Sequence, residues 1–307
     1  MSETVTIDHS GAEFGNMVSS GIFLPHLLWK SGVDAHVITA VDFPDEWMHS
    51  WFGDNYEIRG YQRPDPTKHI TSKRDIEKFF FENRPDESCF SPMKLPDVPS
   101  LIDGKYVVLI PTVYGHKNND RVGWRIFHAL EKKVWKALSD IAHKNGYKVV
   151  GFGANCSCSE EDLAEISDKY FYITNGTDTK PKNTILPRQL EWMKNATTSV
   201  SVGGAIHLSM CFDVPGIGYD GQIYSNYRSF SKLLATNRES SLCYIPHGPT
   251  FEQIVRKRCA NKDIPNNFFT CYKQQKIDED VSQIVRDCWG GLFIEEFEKE
   301  IGSRFRG

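Results

Sequence analysis

The sequence predicts an α/β protein of two units, each a parallel sheet wound with helices, the N-terminal unit being the reduced one. Three observations predict it. Apolar or β-branched runs alternate with amphipathic stretches from residue 105 to 220, the pattern of a parallel sheet. A strand–glycine turn–helix opening occurs twice, at the N-terminus and again near residue 105. Charge divides the chain in the same region: residues 1–100 hold nine Lys and Arg against sixteen Asp and Glu, and the remainder 27 against 24.

In chain order, Thr4–Asp8 (TVTID) is β-branched and reads as a strand. The turn HSGAEFGN follows. Met17–Lys30 then carries Val18, Ile22, Leu24, Leu27 and Leu28 at helical spacing, with a kink available at Pro25. Gly32 ends that helix and Val33–Val41 is the next strand. Between Phe43 and Pro99 the pattern degrades. Trp47, Trp51, Phe52, Tyr56 and Tyr61 cluster there, either as a stacking surface for a sugar or base or as core filling. Arg74–Asn83 reads as a helix, and Pro92–Asp103, with three prolines, as a linker.

The second unit opens on Tyr106–Pro111 (YVVLIP), a continuous apolar run of the kind a parallel strand buried on both faces requires. A polar loop, Thr112–Gly123, leads to a helix near Arg125–Asn145, stopped by Gly146. Strands follow at Lys148–Gly153, Phe171–Thr174, Ser199–Val202 and Gly216–Tyr219. Helices are expected at Ser159–Ile166, Pro187–Asn195, Ala205–Cys211 and Glu279–Phe305. This is the alternation of Rossmann-like lobes.

Composition bounds the function. The 307 residues are 40% hydrophobic and 25% charged, enough for a packed core, and a net charge of -4 is no nucleic-acid footprint. No apolar run approaches the ~20 residues that span a bilayer. The start, MSETVTIDHSG, lacks the basic and apolar regions of a signal peptide, so a cytoplasmic location is expected. The eight cysteines are dispersed, and Cys156 and Cys158 are too close for a CxxC pair; reduced thiols, several buried, are expected. Asp278-Glu279-Asp280 has the form of a DxD metal motif. It sits at a helix start, where acids favour the dipole, so no metal is expected.

The chemistry concentrates in Asn195–Tyr219. A strand ends in Gly203-Gly204 and a helix begins at once. Two glycines permit close backbone approach, and the free N–H groups of a helix start attract an anion, a diphosphate above all. A glycine turn that only packs strand against helix accounts for the same residues.

The stretch resembles the donor-binding segment of GT-B glycosyltransferases, especially the bacterial heptosyltransferase-like group. That segment runs strand, Asp-Ser-Gly, a variable pair, His-Leu-Ala, then Gly-x-Pro. Here His207-Leu208-Ser209 stands for His-Leu-Ala, Gly204 for the glycine and Asp213-Val214-Pro215 for Gly-x-Pro, while the family's Asp falls on Val202. Upstream, IPTVYGHKNNDRVGW resembles the family's loop, whose hydroxyl and lysine face the donor phosphates. Thr112 matches the hydroxyl and Lys117 the lysine, with Arg121 and Arg125 as alternatives. The resemblance places the nucleoside near Gly153 and Glu161 or its neighbour Glu160, and the two glutamates equally suit a helix start; Asp220, just after the Tyr219 strand end, stands where a donor sugar's hydroxyls would be read.

At the N-terminus, Phe14-Gly15-Asn16 resembles the family's Met-Gly-Asp turn, whose Asp is the base on the acceptor hydroxyl. Asn16 cannot take that role. Glu13 and Asp8 are the replacement carboxylates, Glu13 reaching further from its turn, with Asp8 able instead to orient the loop and His9 a third candidate. The resemblance implies an inverting, metal-independent transferase without a cofactor, using a nucleotide-diphosphate sugar as donor. Residues 1–100 would form the acceptor lobe and 104–280 the donor lobe, with 281–307 a helix returning to the first lobe. A glycan or lipid-linked glycan acceptor is favoured over a hydroxylated base in phage-type DNA, because the first lobe is acidic. A non-catalytic sugar-nucleotide-binding protein on the same scaffold is the alternative.

Overall fold

The computed structural model describes residues 4–11, 17–60, 62–83, 92–116, 129–174, 185–202, 205–219, 242–244, 253, 255–257 and 279–303. Two parallel sheets organise them, of three and six strands. The first contains β1 (Val5–Asp8), β2 (Ala35–Thr39) and β3 (Tyr56–Ile58) in that spatial order. On the free side of β1, Ile70 forms a parallel bridge to Ile7, with hydrogen bonds from Ile70 N to Thr6 O and from Asp8 N to Ile70 O, both 3.0 Å. The chain thus continues on the opposite side of β1 from β2 and β3, which is half of a doubly wound sheet. The helices α1 (Leu24–Lys30) and α2 (Asp45–Phe52) lie in its connections, and α3 (Lys73–Glu82) follows Ile70.

The second sheet holds β4 (Tyr106–Ile110), β5 (Lys148–Ala154), β6 (Lys169–Ile173), β7 (Ser199–Val202), β8 (Gly216–Tyr219) and β9 (Leu242–Tyr244). Their spatial order is β6-β5-β4-β7-β8-β9. Numbered within the unit that is 3-2-1-4-5-6, the doubly wound order, and it reverses between β4 and β7. Every residue of β4 and of β7 is buried, as central strands covered on both faces must be. Between the strands run α4 (Lys132–Lys144), α5 (Glu160–Ile166), α6 (Ile185–Lys194) and α7 (Ile206–Cys211), and α8 (Glu279–Ser303) closes the chain.

Several details differ from the sequence reading. Met17–Phe23 is a π-helix that runs directly into α1, and Pro25 stands where the bonding changes from one to the other. The helix expected from Arg125 is described only from Lys132, with Glu131 before it in an extended conformation. The three-residue β3 and the short α2 carry no periodicity long enough to announce them.

The aromatic cluster is core at its start, while Tyr56 is half-buried and Tyr61 lies outside the described residues. Trp47, Trp51 and Phe52 are buried on α2, and Phe43 and Trp51 pack on Phe212 of the second unit with ring centroids 6.1 and 5.4 Å away. The presumed linker is a strap across the same junction. Met93 N donates to Cys211 O (2.8 Å), Asp213 N to Met93 O (2.9 Å), and the Trp51 indole to Lys94 O (3.0 Å). One apolar cluster therefore runs from β1 and the π-helix through these rings to α6, α7 and the near face of the second sheet.

The second cluster lies on the far face and includes α8. Val285, Trp289, Phe293, Phe297 and Ile301 bury the helix against the second unit, with α4 and β8 as neighbours. Among the described residues the apolar side chains of this helix join the second cluster. Gly290 makes the approach to α4 possible: a Cβ there would stand 2.5 Å from Val134 Cγ2, which offsets the cost of a glycine inside a helix.

Candidate functional site

In open α/β sheets ligands bind beyond the carboxyl ends of the strands where strand order reverses. This chain has two such places. In the first unit it lies between β1 and Ile70, and in the second between β4 and β7. The π-helix that follows the first place and α7 that follows the second pack against each other, so the elements leaving the two crevices are joined.

The first crevice is held by charge. Asp8 ends β1 with its carboxylate buried. Oδ1 accepts from Ser10 Oγ (2.6 Å) and Ser10 N (3.2 Å), and Oδ2 lies 3.5 Å from the Arg59 guanidinium. Arg59 also makes a two-point contact to Glu57 at 2.8 and 2.9 Å. Oδ1 thus fixes the turn after β1, while Oδ2 is buried with no hydrogen-bond partner. The next residue, His9, is 5% exposed, and its Nδ1 lies 2.9 Å from Thr71 O. A carbonyl can only accept, so Nδ1 carries the proton and Nε2 presents a lone pair. Nε2 is buried with no hydrogen-bond partner. Burial holds the imidazole below its ordinary pKa, helped by Lys73 and opposed by the Thr71 carbonyl and Asp8, which keeps it neutral.

At the second crevice the bonds next to Thr112 are made to backbone carbonyls. Thr112, half-buried, follows the end of β4, and its carbonyl accepts from Leu130 N (3.0 Å) and the Trp135 indole (3.3 Å). Val113 bridges Leu130, and Tyr114 N donates to Leu130 O (2.9 Å), closing the neck of the loop between them. His116 Nε2 donates to Asn155 O (3.0 Å), tying that loop to the end of β5. His207 is buried on α7. Glu13, Asn16, Lys117, Arg121, Arg125, Gly203, Gly204 and Asp220 lie outside the described residues.

Two expected nucleoside contacts have structural work of their own. A Cβ on Gly153 would stand 2.6 Å from Cys158 Sγ and 3.0 Å from Leu163, so the glycine lets α5 lie on β5. Burial pushes the Cys158 thiol up to about 11, the state of an inert core cysteine. Glu160 and Glu161 are exposed in the first turn of α5, whose cap is Ser159 accepting from Asp162 N. Acids there complement the helix dipole.

Sequence reasoning missed Ser10, Arg59 and Thr71. Arg59 meets Asp8 only because β1, β2 and β3 align in register, and β3 is too short to read. Among the described residues no group of three or more His, Cys, Asp and Glu could hold a metal ion, and no helix is long and apolar enough to cross a membrane. Cys156, Cys158, Cys211 and Cys288 are free thiols.

No family model matches the sequence, and no curated protein matches it. Solved structures do. The fold is similar to the glycosyl transferase family 9 protein from Veillonella parvula DSM 2008, at 12% identity and a TM-score of 0.45, over 94% of this chain and 97% of that one. It is similar to E. coli ADP-heptose LPS heptosyltransferase II at 11% identity and a TM-score of 0.38, over 96% and 99% of the two chains. A third likeness, to Acinetobacter baumannii MurG, has 9% identity and a TM-score of 0.29, over 97% and 99%. The two-unit architecture itself rests on the strand orders above.

Proposed function

We propose that this protein is a glycosyltransferase that moves a sugar from a nucleotide-diphosphate sugar to an acceptor hydroxyl, with inversion and without a metal. The observation that carries the reading is the reversal of strand order between β4 and β7, which brings Thr112, after β4, and the start of α7, after β7, to one crevice. A hydroxyl and a helix start at one switch point suit a diphosphate. Lys117 and Arg121, with the N–H groups after Gly203-Gly204, supply the positive field that stabilises the leaving diphosphate. His207, Gly153, Glu161 and Asp220 are assigned to the donor by the resemblance alone.

The acceptor belongs to the first unit. Its hydroxyl attacks the anomeric carbon as the bond to the diphosphate breaks, and its proton passes to the segment leaving β1. The resemblance offers the carboxylates Glu13 and Asp8. Ser10 takes Asp8 Oδ1, while the buried Oδ2, 3.5 Å from Arg59, has no hydrogen-bond partner, so Glu13 and Asp8 both stay carboxylate candidates for the base. A second reading, favoured by the orphan lone pair on Nε2, gives the proton to His9. A glycan acceptor fits the acidic first unit better than DNA, and absence of duplex-DNA binding at low salt excludes the latter.

The test is a thermal-shift screen against nucleoside diphosphates and their sugars. A true ligand at ~100 times its Kd adds ~2.7 kcal/mol of stability. Silence across the panel overturns the reading. Binding without turnover or donor hydrolysis establishes the non-catalytic alternative. With a turning-over donor in hand, loss of rate in Glu13→Gln with His9→Gln active identifies the carboxylate, and the converse identifies the imidazole.

A further inference from the structure

The terminal helix α8 carries a buried cation, Arg286, 7% exposed. Its guanidinium is shared among several partners. Nε donates to Glu131 Oε1 at 2.9 Å, Nη1 to the Tyr114 hydroxyl at 3.0 Å, and Nη2 to Glu279 at 2.7 Å and to the Gln283 side chain. The group also lies over the Tyr114 ring, 4.4 Å from its centroid.

Two of these partners are the two sides of one neck. Tyr114 stands two residues after Thr112, and Glu131 follows Leu130, the residue that bridges Val113 and whose N–H binds the Thr112 carbonyl. Anchoring α8 does not require this arrangement. The helix already buries Trp289, Phe293, Phe297 and Ile301, and Lys133 pairs with Asp287 at its surface at 2.7 Å. Burying a guanidinium is costly unless its donors are met, and a planar fork can meet acceptors on two segments at once where a point charge cannot.

We propose that Arg286 is a positioning residue for Thr112: it clamps the two arms of the neck, Tyr114 and Glu131, to the terminal helix. The inference rests on the donor reading only in its consequence, that the clamp holds the crevice in the form that binds a diphosphate.

Hydrogen exchange of the full chain tests the clamp directly. In Arg286→Met the amides of Tyr114 and Leu130 exchange about tenfold faster or more, while the buried half of α8 beyond Trp289 keeps its protection. Tyr114→Phe, which removes one acceptor without disturbing the helix, moves the same amides in the same direction. Glu279→Gln, on the exposed side of the guanidinium, leaves them unchanged. Unchanged neck amides in both Arg286→Met and Tyr114→Phe overturn the proposal. So does loosening confined to α8, which would make Arg286 a helix anchor only.

Affinity for ADP and UDP is the second readout. Arg286→Met weakens whichever probe binds by about tenfold, and Arg286→Lys, able to meet one arm at a time, falls between. Equal affinity in wild type and Arg286→Met, with a loosened neck, removes the link to the diphosphate site. Binding of neither probe to the wild type counts against the donor reading, and the exchange result still decides the clamp.

Discussion

The two crevices are built from different materials. Beyond β1 a buried carboxylate, a guanidinium and a neutral imidazole hold the turn, so side-chain charge sets its shape. Beyond β4 the Thr112 carbonyl takes an amide and an indole, and the Thr112 side chain has no part in either bond. The difference teaches how each tolerates change. A charge-built turn fails when one partner is removed, because the other is left buried and unpaired. At Thr112 itself the bonds are made by the backbone, so the side chain can change while the turn keeps its shape; the charge of this crevice sits in the neck, where Arg286 meets Tyr114 and Glu131.

The largest expected effect breaks both crevices together. Phe212→Ala removes the ring that Phe43 and Trp51 share across the junction and should cost about 3–5 kcal/mol. Denaturant unfolding, expected to separate into two transitions as the units uncouple, measures it; one unshifted transition would show that the junction carries no stability.

Next comes pH, which acts on the first unit. His26 on α1 is buried, its Nδ1 bonded to Trp51 O at 3.0 Å, and burial lowers its pKa from 6.5 to about 4. The unfolded chain then binds a proton that the folded chain refuses. Stability is complete above pH 6.5 and is lost as the pH falls towards 4, by about 3 kcal/mol, with no further loss from this group below that. His9 pulls in the same direction. Melting temperatures over this window should fall less in His26→Gln than in the wild type. Parallel curves would refute the assignment.

The third pair of variants sharpens the contrast itself. Asp8→Asn, which keeps an oxygen for Ser10 but sets an amide NH2 against the Arg59 guanidinium in place of a carboxylate oxygen, is expected to cost about 1–3 kcal/mol. Thr112→Val is expected to stay within about 0.5 kcal/mol and to reveal itself only in diphosphate affinity. Equal stability losses in chemical denaturation would erase the distinction between the crevices.

Much of the scaffold was legible because burial on both faces prints itself along a strand. Tyr106–Ile110 is apolar without interruption and becomes the fully buried β4. The Ser159 start of α5 and the acidic start of α8 were equally plain, since caps and dipole complements are local. The π-helix was not, because apolar spacing does not distinguish its i→i+5 bonding from that of an α-helix. The aromatics at 47–52 could have been a stacking surface, and only Phe212, some 160 residues away, makes them core.

The sequence by itself determined two units of alternating strand and helix, the position of each central strand, and the strand end at which Thr112 stands. These follow from side-chain period and burial, which are properties of neighbouring residues. The tertiary structure alone decided that Asp8 meets Ser10 and Arg59, that Gly153 makes room for a helix, that α8 buries its apolar side chains in the second cluster and that Arg286 reaches both arms of one neck. Each depends on sheet register or on packing between distant elements, and no local pattern encodes which distant surface a residue will meet.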